Sequence, residues 1–184
     1  MKRLFIAVKI VPNPEFLYQY EEIISTLKAN KMNWIKPDNF HLTLKFLGKV
    51  GDDRVGEIVE SLEKVRFDPY RLTIENLGIF GSRYKPRVLW TKLNDNGETV
   101  ELAEDIVERM HKIGFLRDRQ NFVPHLTLAR IKNIPDNKYF QNKLQSVKET
   151  FFQESEVEGF HLYQSILRPE GVEYRSLYYF PLGK

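Results

Sequence analysis

The tetrapeptide His-Leu-Thr-Leu stands at residues 41–44 and again at residues 125–128. The chain contains four histidines, so this one motif holds half of them. The offset between the two copies (125 − 41) is close to half of the 184-residue chain. This spacing indicates a duplicated unit rather than a solenoid, whose repeats are about 20 to 50 residues long.

The sequence around the two motifs predicts the same order of elements twice. Alternating apolar residues indicate strands, and apolar residues at helical spacing indicate helices. The predicted strands cover residues 3–10, 40–47, 71–80, 87–93, 124–131 and 157–167, with a final one at 174–180. A helix is predicted on either side of each motif strand. The first is capped at Asn13-Pro14, and the last begins at Pro135-Asp136 and carries Phe151 on its inner face.

Each half therefore reads β-α-β-α-β, which predicts an α+β fold built from one duplicated unit. We expect residues 1–184 to form a single domain of two lobes, with internal repeats at about residues 1–81 and 87–168. The turn-rich, basic segment 81–87 is the expected boundary between the repeats. It is either a solvated connection or a cationic lip beside a phosphate site, and the sequence leaves both open.

The composition excludes several classes of function. Hydrophobic residues make up 42% of the chain, enough for a core, so the chain should fold alone without an obligate protein partner. Its 28 Lys and Arg against 25 Asp and Glu give a net charge of +3, too small to indicate a non-specific polyanion binder. The absence of cysteine excludes disulfides, thiolate nucleophiles and cysteine-ligated metals.

The N-terminal sequence MKRLFIAVKIVPNPE indicates a first strand rather than a signal peptide, because its apolar run is short and is closed by Pro12. No apolar stretch approaches the roughly 18 residues that indicate a transmembrane helix. We therefore expect a soluble, cytoplasmic protein with no membrane partner.

The two motifs predict one shared site. Side chains alternate faces along a strand, so His41 and Thr43 point one way and the leucines between them point into a core. The same holds for His125 and Thr127. If the two lobes pack about a pseudo-twofold axis, the cleft between them holds two histidines and two threonines.

This set of side chains suits displacement at phosphorus. Hydrolysis of a phosphodiester needs a base for the attacking water and an acid for the leaving alkoxide, and two imidazoles of pKa near 6.5 can share these roles. Threonine hydroxyls can donate to the non-bridging oxygens. No metal or cofactor is required, and a zinc site on His41 and His125 would lack a third protein ligand. The residues alone do not decide which histidine is the acid.

The alternative is that each motif is an ordinary strand whose histidine has no catalytic role. One such match is weak evidence, but two matches in register with an internal repeat favour a functional site. His111 is expected on a helix surface and His161 in a strand, and neither is assigned a role.

Several segments together resemble a known family: RLFIAV at the N-terminus, NFHLTLKFLG, PRVLW and HLTLAR. They are similar to the two-histidine phosphoesterases, and among these to the RNA 2′,3′-cyclic phosphodiesterases, also described as 2′-5′ RNA ligase-like proteins. The resemblance implies a bilobal α+β fold in which antiparallel sheets line a central cleft and helices lie outside. It also implies metal-independent hydrolysis of a 2′,3′-cyclic phosphate, on an RNA end or a small cyclic nucleotide, to a 2′-phosphomonoester.

The resemblance assigns roles to five residues. His41 is the expected proton donor and His125 the expected proton acceptor. Thr43, Thr127 and Arg130 are the expected phosphate-binding residues. Strict alternation would put Arg130 on the core face, so a bulge or a twist must turn it toward the cleft; otherwise it is an exposed strand-end arginine.

Other features of the site are less specified. Alternation places Lys45 on the His41 face. Five aromatic residues are candidates for stacking on bases, and most of them are expected in the core: Phe5, Phe46, Tyr84, Trp90 and Tyr163. Two rival functions stay open, namely 2′-5′ joining of tRNA halves by the same histidines and binding of RNA ends without turnover.

Overall fold

The computed structural model describes residues 1–117, 121–169 and 171–183. The helices are α1 (Pro14–Thr26), α2 (Val55–Leu62), α3 (Glu98–Lys112) and α4 (Asn137–Val147), with 3-10 turns at Pro37–Asn39 and Asp52–Arg54. The strands are β1 (Lys2–Lys9), β2 (Lys31–Trp34), β3 (His41–Val50), β4 (Tyr70–Ser82), β5 (Lys85–Asn94), β6 (His125–Asn133), β7 (Phe151–Val157), β8 (Gly159–Arg168) and β9 (Gly171–Pro181).

The strands of the described residues form one antiparallel sheet in the order β7-β4-β5-β6-β3-β1-β8-β9, and β2 pairs with β6. The middle of this order is the contact of β6 with β3, where the register has one pair, Leu42 opposite Leu126. Among the described residues, four strands of that order lie on each side of the contact, and β2 adds a fifth strand on the β6 side. The predicted α+β fold of two pseudo-equivalent halves is confirmed.

The lobes are not the same as the sequence repeats. The first lobe contains β3, β1, β8 and β9, and the second contains β6, β5, β4 and β7, with β2 paired to β6. Strand β4 follows the first motif in the chain, yet it pairs with β5 and β7 of the second lobe. Strand β8 correspondingly pairs with β1. Each half of the chain thus completes the sheet of the other lobe.

The helices cover one face of the sheet. Buried side chains from all four helices, among them Phe16, Ile58, Ile106 and Phe140, belong to the same core cluster as Leu42 and Leu126 of the central strands. A separate small cluster of Phe5, Ala7 and Tyr163 lies apart from this core. The opposite face of the sheet is therefore left for the motif histidines and threonines, and we call it the cleft face.

Two helix starts follow the sequence signals. The Asn13 side chain accepts a hydrogen bond from the Phe16 amide at 2.8 Å, and Pro14 occupies the first turn of α1. The Asp136 side chain accepts one from the Tyr139 amide at 2.9 Å at the start of α4. Each cap satisfies a backbone donor that would otherwise lack a partner.

Three predictions of local structure are wrong or incomplete. Helix α4 ends at Val147, so Phe151 is not on its inner face; it starts β7, a strand that the sequence pattern did not separate from the region before residue 157. Strand β2 is absent from the predicted strands, which leave residues 31–34 without an element. The segment 81–87 is largely paired, because β4 and β5 form a hairpin that turns at Arg83 and Tyr84.

Among the described residues, the helices are all too short or too polar to cross a bilayer. The cytoplasmic location stays a prediction.

Candidate active site

The central strands place the four motif side chains together. Leu42 and Leu126 are 0% and 1% exposed and point into the core, while the histidines and threonines beside them are partly exposed on the cleft face. Because Leu42 lies opposite Leu126 in antiparallel strands, His41 neighbours Thr127 and Thr43 neighbours His125. Each histidine is thus set beside the threonine of the other motif.

The two imidazoles are held in the same way. His41 Nδ1 lies 2.7 Å from the carbonyl oxygen of Asn39, and His125 Nδ1 lies 2.7 Å from the carbonyl oxygen of Val123. A backbone carbonyl only accepts hydrogen bonds, so Nδ1 carries a hydrogen in both rings. Each neutral imidazole therefore has Nε2 unprotonated and able to accept a proton, and each imidazolium can donate one from Nε2.

Aromatic rings from neighbouring strands bracket each imidazole. The centroid of the His41 ring lies 5.1 Å from that of Phe5 and 5.0 Å from that of Tyr174. The His125 ring lies 4.8 Å from Phe80 and 6.0 Å from Trp90. Ring contacts at these distances restrict the rotation of the imidazoles and remove water from one side of each.

The electrostatic surroundings of the two histidines differ. Burial lowers the pKa of His41, and the positive charges of Lys9, His125 and Arg130 lower it further. The hydrogen bond to the Asn39 carbonyl acts in the opposite direction and raises this pKa. Burial also lowers the pKa of His125 against its hydrogen bond to the Val123 carbonyl. Both histidines thus have pKa values below the usual 6.5, and His41 faces the stronger positive field.

A bulge brings Arg130 to the cleft face. Thr127 lies opposite Trp90 and Ala129 lies opposite Leu89, so Leu128 is an extra residue in β6 and the alternation shifts after it. Ala129 is buried with Leu128, and Arg130 is exposed on the side of Thr127. The charge of Arg130 acts on both His41 and Tyr174, which places it at the site.

The equivalent bulge in β3 turns Lys45 away. Ala7 lies opposite Thr43 and Ile6 opposite Lys45, so Leu44 is the extra residue. Lys45 consequently lies on the core side with Ile6, is 2% exposed, and donates from Nζ to the carbonyl oxygen of Leu116 at 2.7 Å. The expectation that Lys45 shares the His41 face is wrong, because alternation breaks at the bulge.

The sequence model of the family described as LigT like Phosphoesterase matches the chain twice, over residues 10–90 and 94–174. The offset between the two matches (94 − 10) equals the offset between the two motif histidines (125 − 41). The chain belongs to the LigT-like phosphoesterase family. The resemblance to the two-histidine phosphoesterases is thereby confirmed.

Two curated proteins that are similar to this chain are also close to it in length. A protein of Archaeoglobus fulgidus named RNA 2′,3′-cyclic phosphodiesterase is 35% identical over 176 residues, which cover 95% of this chain and 97% of that protein. A protein of Thermotoga maritima with the same name is 34% identical over 180 residues, which cover 96% of this chain and 93% of that protein.

Solved structures share the LigT-like fold. The crystal structure of TT0787 of Thermus thermophilus matches with a TM-score of 0.76 at 26% identity, covering 97% of each chain. The crystal structure of E. coli LigT complexed with 3′-AMP matches with a TM-score of 0.77 at 23% identity, covering 100% of this chain and 99% of that one.

Several residues of this candidate site were not predicted from the sequence. Tyr174 and Phe80 come from strands far from either motif, and the strand pairing alone brings them to the histidines. Lys9 lies directly opposite His41 and donates from Nζ to the carbonyl of Asp38. The sequence signal for Lys9 was its place near the end of the first predicted strand, residues 3–10.

The remaining histidines differ in their distance from the site. His161 lies opposite Ala7 on the cleft side, with Nδ1 2.8 Å from Ser176 Oγ and its ring 4.8 Å from that of Tyr179. His111 is exposed on α3. Within residues 1–117, 121–169 and 171–183, His, Asp and Glu side chains form no group of three or more that could hold a metal ion.

Proposed function

We propose that the protein hydrolyses 2′,3′-cyclic phosphates of RNA ends or nucleotides to 2′-phosphomonoesters, with His41 and His125 as proton carriers. The observation that carries the proposal is the pairing of Leu42 with Leu126, which sets two imidazoles and two hydroxyls around one point on the cleft face. The name shared by the curated relatives, RNA 2′,3′-cyclic phosphodiesterase, supports the same activity.

The reaction is an in-line displacement at phosphorus. Nε2 of neutral His125 takes a proton from water as its oxygen bonds to phosphorus. The bond from phosphorus to O3′ breaks, and the imidazolium of His41 gives its Nε2 proton to that oxygen. The products are a 2′-phosphomonoester and a free 3′-hydroxyl, so atoms and protons balance. The assignment of acid to His41 and base to His125 follows the family resemblance.

The backbone prepares both histidines for these roles. Each Nδ1–H donates to a carbonyl, at Asn39 or at Val123, so each Nε2 is the atom left for proton transfer. The Thr43 and Thr127 hydroxyls donate to the non-bridging oxygens, where negative charge is held during attack. Fixed donors of this kind need no rearrangement as the charge develops.

The charge of Arg130 makes the pKa of His41 depend on whether substrate is bound. In the free protein the charges of Lys9 and Arg130 disfavour the imidazolium of His41 and lower its pKa. A bound cyclic phosphate carries one negative charge, and beside Arg130 it offsets that field. Substrate binding is therefore expected to raise the pKa of His41 and so favour the protonated form that the acid role requires.

The experiment is incubation of the purified protein with adenosine 2′,3′-cyclic phosphate in EDTA, with products separated by chromatography. We expect adenosine 2′-monophosphate as the product, at a rate that EDTA does not change. A 3′-monophosphate product would contradict the assigned leaving group, and a rate lost in EDTA would contradict the metal-free reaction.

Two further arms address the rival functions. In the first, tRNA halves that carry a cyclic phosphate and a 5′-hydroxyl are supplied together; joining faster than hydrolysis would make ligation the main activity. In the second, binding of a cyclic-phosphate RNA end is measured under the same conditions. Binding without turnover would leave an RNA-end binding module and overturn the hydrolase.

A further inference from the structure

Each motif histidine has a lysine directly opposite it on the neighbouring strand. Lys9 of β1 lies opposite His41, and Lys92 of β5 lies opposite His125. Directly opposite residues of antiparallel strands place their side chains on the same face, so both lysines start from the cleft face. The two positions are equivalent in the two lobes, and the surroundings of the two lysines can therefore be compared directly.

The two lysines differ in what they contact. Lys92 is exposed, and its side chain forms no hydrogen bond or ion pair with another residue that the structure describes. Lys9 is partly buried, and its Nζ donates to the carbonyl oxygen of Asp38. Burial lowers the pKa of Lys9, while the nearby Asp38 carboxylate acts in the opposite direction and raises it. Lys9 is thus fixed against the protein, and Lys92 extends into solvent.

The Asp38 carbonyl belongs to the turn that positions His41. Pro37–Asn39 is a 3-10 turn, and the carbonyl oxygen of its last residue, Asn39, lies 2.7 Å from His41 Nδ1. The carbonyls of Asp38 and Asn39 belong to adjacent peptide groups, each of which is planar and stiff. A movement of the Asp38 carbonyl is therefore passed on to the carbonyl that holds the imidazole.

Two side-chain hydrogen bonds attach this turn to the sheet. Lys9 attaches it to β1, and Asn39 attaches it to β9, because Asn39 Nδ2 donates to the carbonyl oxygen of Val172 at 3.1 Å. In the other lobe the Val123 carbonyl orients the imidazole. Within the part of the chain that the structure describes, Lys92 makes no attachment to the segment that carries Val123.

The charge of Lys9 also acts on the imidazole that this turn holds. Three positive groups from β1 and β6 lower the pKa of His41 in addition to burial: Lys9, His125 and Arg130. Tyr174 of β9 faces the same ring, and burial raises the pKa of Tyr174, so it stays uncharged in the neutral range. Removal of the Lys9 charge should therefore raise the pKa of His41, an effect that a purely structural role would not produce.

We propose that Lys9 is a positioning residue for His41: by binding the Asp38 carbonyl, it fixes the turn whose Asn39 carbonyl orients the imidazole. Lys9 exchanges no proton with the substrate. With Nδ1–H held on Asn39, Nε2 of His41 keeps its direction toward the leaving oxygen. The inference rests on the proposed function, because it takes His41 to be the proton donor. Lys92 has no such role, so the two proton carriers are held differently.

The first test measures hydrolysis of adenosine 2′,3′-cyclic phosphate by Lys9→Met, Lys9→Arg and Lys92→Met. Lys9→Met keeps an unbranched apolar side chain and removes the donor and the charge. Its kcat should fall about tenfold with KM little changed, since a misplaced catalytic group can cost up to about 100-fold. Lys9→Arg keeps a charged donor and should restore most of the lost kcat. Lys92→Met is the matched control and should react at the wild-type rate.

The second readout is the pH profile of kcat/KM, which reports the free enzyme. Lys9→Met should move the limb set by His41 to higher pH, because a nearby positive charge is lost. Lys9→Arg and Lys92→Met should leave that limb in place. Equal kcat values for Lys9→Met and Lys92→Met would overturn the proposal, and so would an unmoved His41 limb in Lys9→Met. Equal losses in Lys9→Met and Lys9→Arg would also overturn it, because the charged donor would then not matter.

Nitrogen NMR of the imidazoles tests the positioning without any turnover. In the wild-type protein the neutral His41 ring should carry its hydrogen on Nδ1. Lys9→Met should add the tautomer with the hydrogen on Nε2, whereas His125 should keep Nδ1–H in every variant. An unchanged His41 tautomer in Lys9→Met would contradict the proposal. If the wild-type protein hydrolyses no cyclic phosphate, the proposed function fails separately, and the tautomer of His41 still decides the role of Lys9.

Discussion

The two lobes share their reacting groups and differ in what surrounds them. His41 and His125 have the same Nδ1 hydrogen bond of 2.7 Å to a carbonyl two residues earlier. After the motifs the lobes diverge, because the bulge presents Phe46 in one and Arg130 in the other. The side chains that the two lobes share suit the proton transfers on both sides of a phosphodiester. The side chains that differ between the lobes suit the orientation of the substrate.

Removal of either motif histidine should lower kcat more than any other change. His41→Ala and His125→Ala should each lower kcat for the cyclic nucleotide by about 10²- to 10⁴-fold, because each removes one proton transfer. His111→Ala is the control, since it removes an exposed histidine of α3 and should leave kcat unchanged. A motif variant within a factor of two of the His111→Ala rate would show that this histidine does no chemistry.

The threonines are expected to come next. Thr43→Val and Thr127→Val keep the side-chain shape and remove the hydroxyl, so each should cost about 100-fold in kcat. Measuring kcat for both variants compares the two lobes directly, because equivalent positions should give losses of similar size. An effect on KM alone would mean that the hydroxyls bind the substrate and the transition state equally and do not stabilise the transition state further.

A smaller effect is expected at the position where the lobes differ. Arg130→Gln should raise KM by about tenfold, since it removes a charged donor from the phosphate. Lys132→Gln, two residues further along β6, is the control for loss of positive charge alone. If both variants raise KM alike, the contribution of Arg130 is a general field and not a contact.

The smallest predicted effect is a shift in pH dependence. Burial and nearby positive charge hold the pKa of His41 below 6.5, so removing the Arg130 charge should raise it. In the kcat/KM profile, which reports the free enzyme, the limb set by His41 should move to higher pH in Arg130→Gln. The limb set by His125 should stay in place, since burial and the hydrogen bond to the Val123 carbonyl set the pKa of His125 and the charge of Arg130 does not. Movement of both limbs together would contradict this asymmetry.

Much of this site was predictable from sequence because its key residues are local in the chain. A tetrapeptide on a strand fixes which side chains share a face, and its repetition about half a chain later indicates the second lobe. Helix starts at Asn13 and Asp136 were readable for the same reason, since a cap involves only the next three residues.

The rest depends on pairing between distant segments. Strand β4 joins the second lobe because β5 follows it through a tight hairpin, and Tyr174 reaches His41 through the neighbouring strand pairs. The bulges at Leu44 and Leu128 invert the alternation that a sequence pattern assumes, which is why Lys45 was misplaced. Local periodicity contains no information about which strand lies opposite.

The most direct test of the central claim is to compare the hydrolysis rates of His41→Ala, His125→Ala and the double variant on one cyclic nucleotide. If the two motifs form one site, each single variant should already lose at least about 100-fold, and the double variant should be little slower than the slower single one. Single variants that each keep about half of the wild-type rate, with activity lost only in the double variant, would show two independent sites and contradict the account.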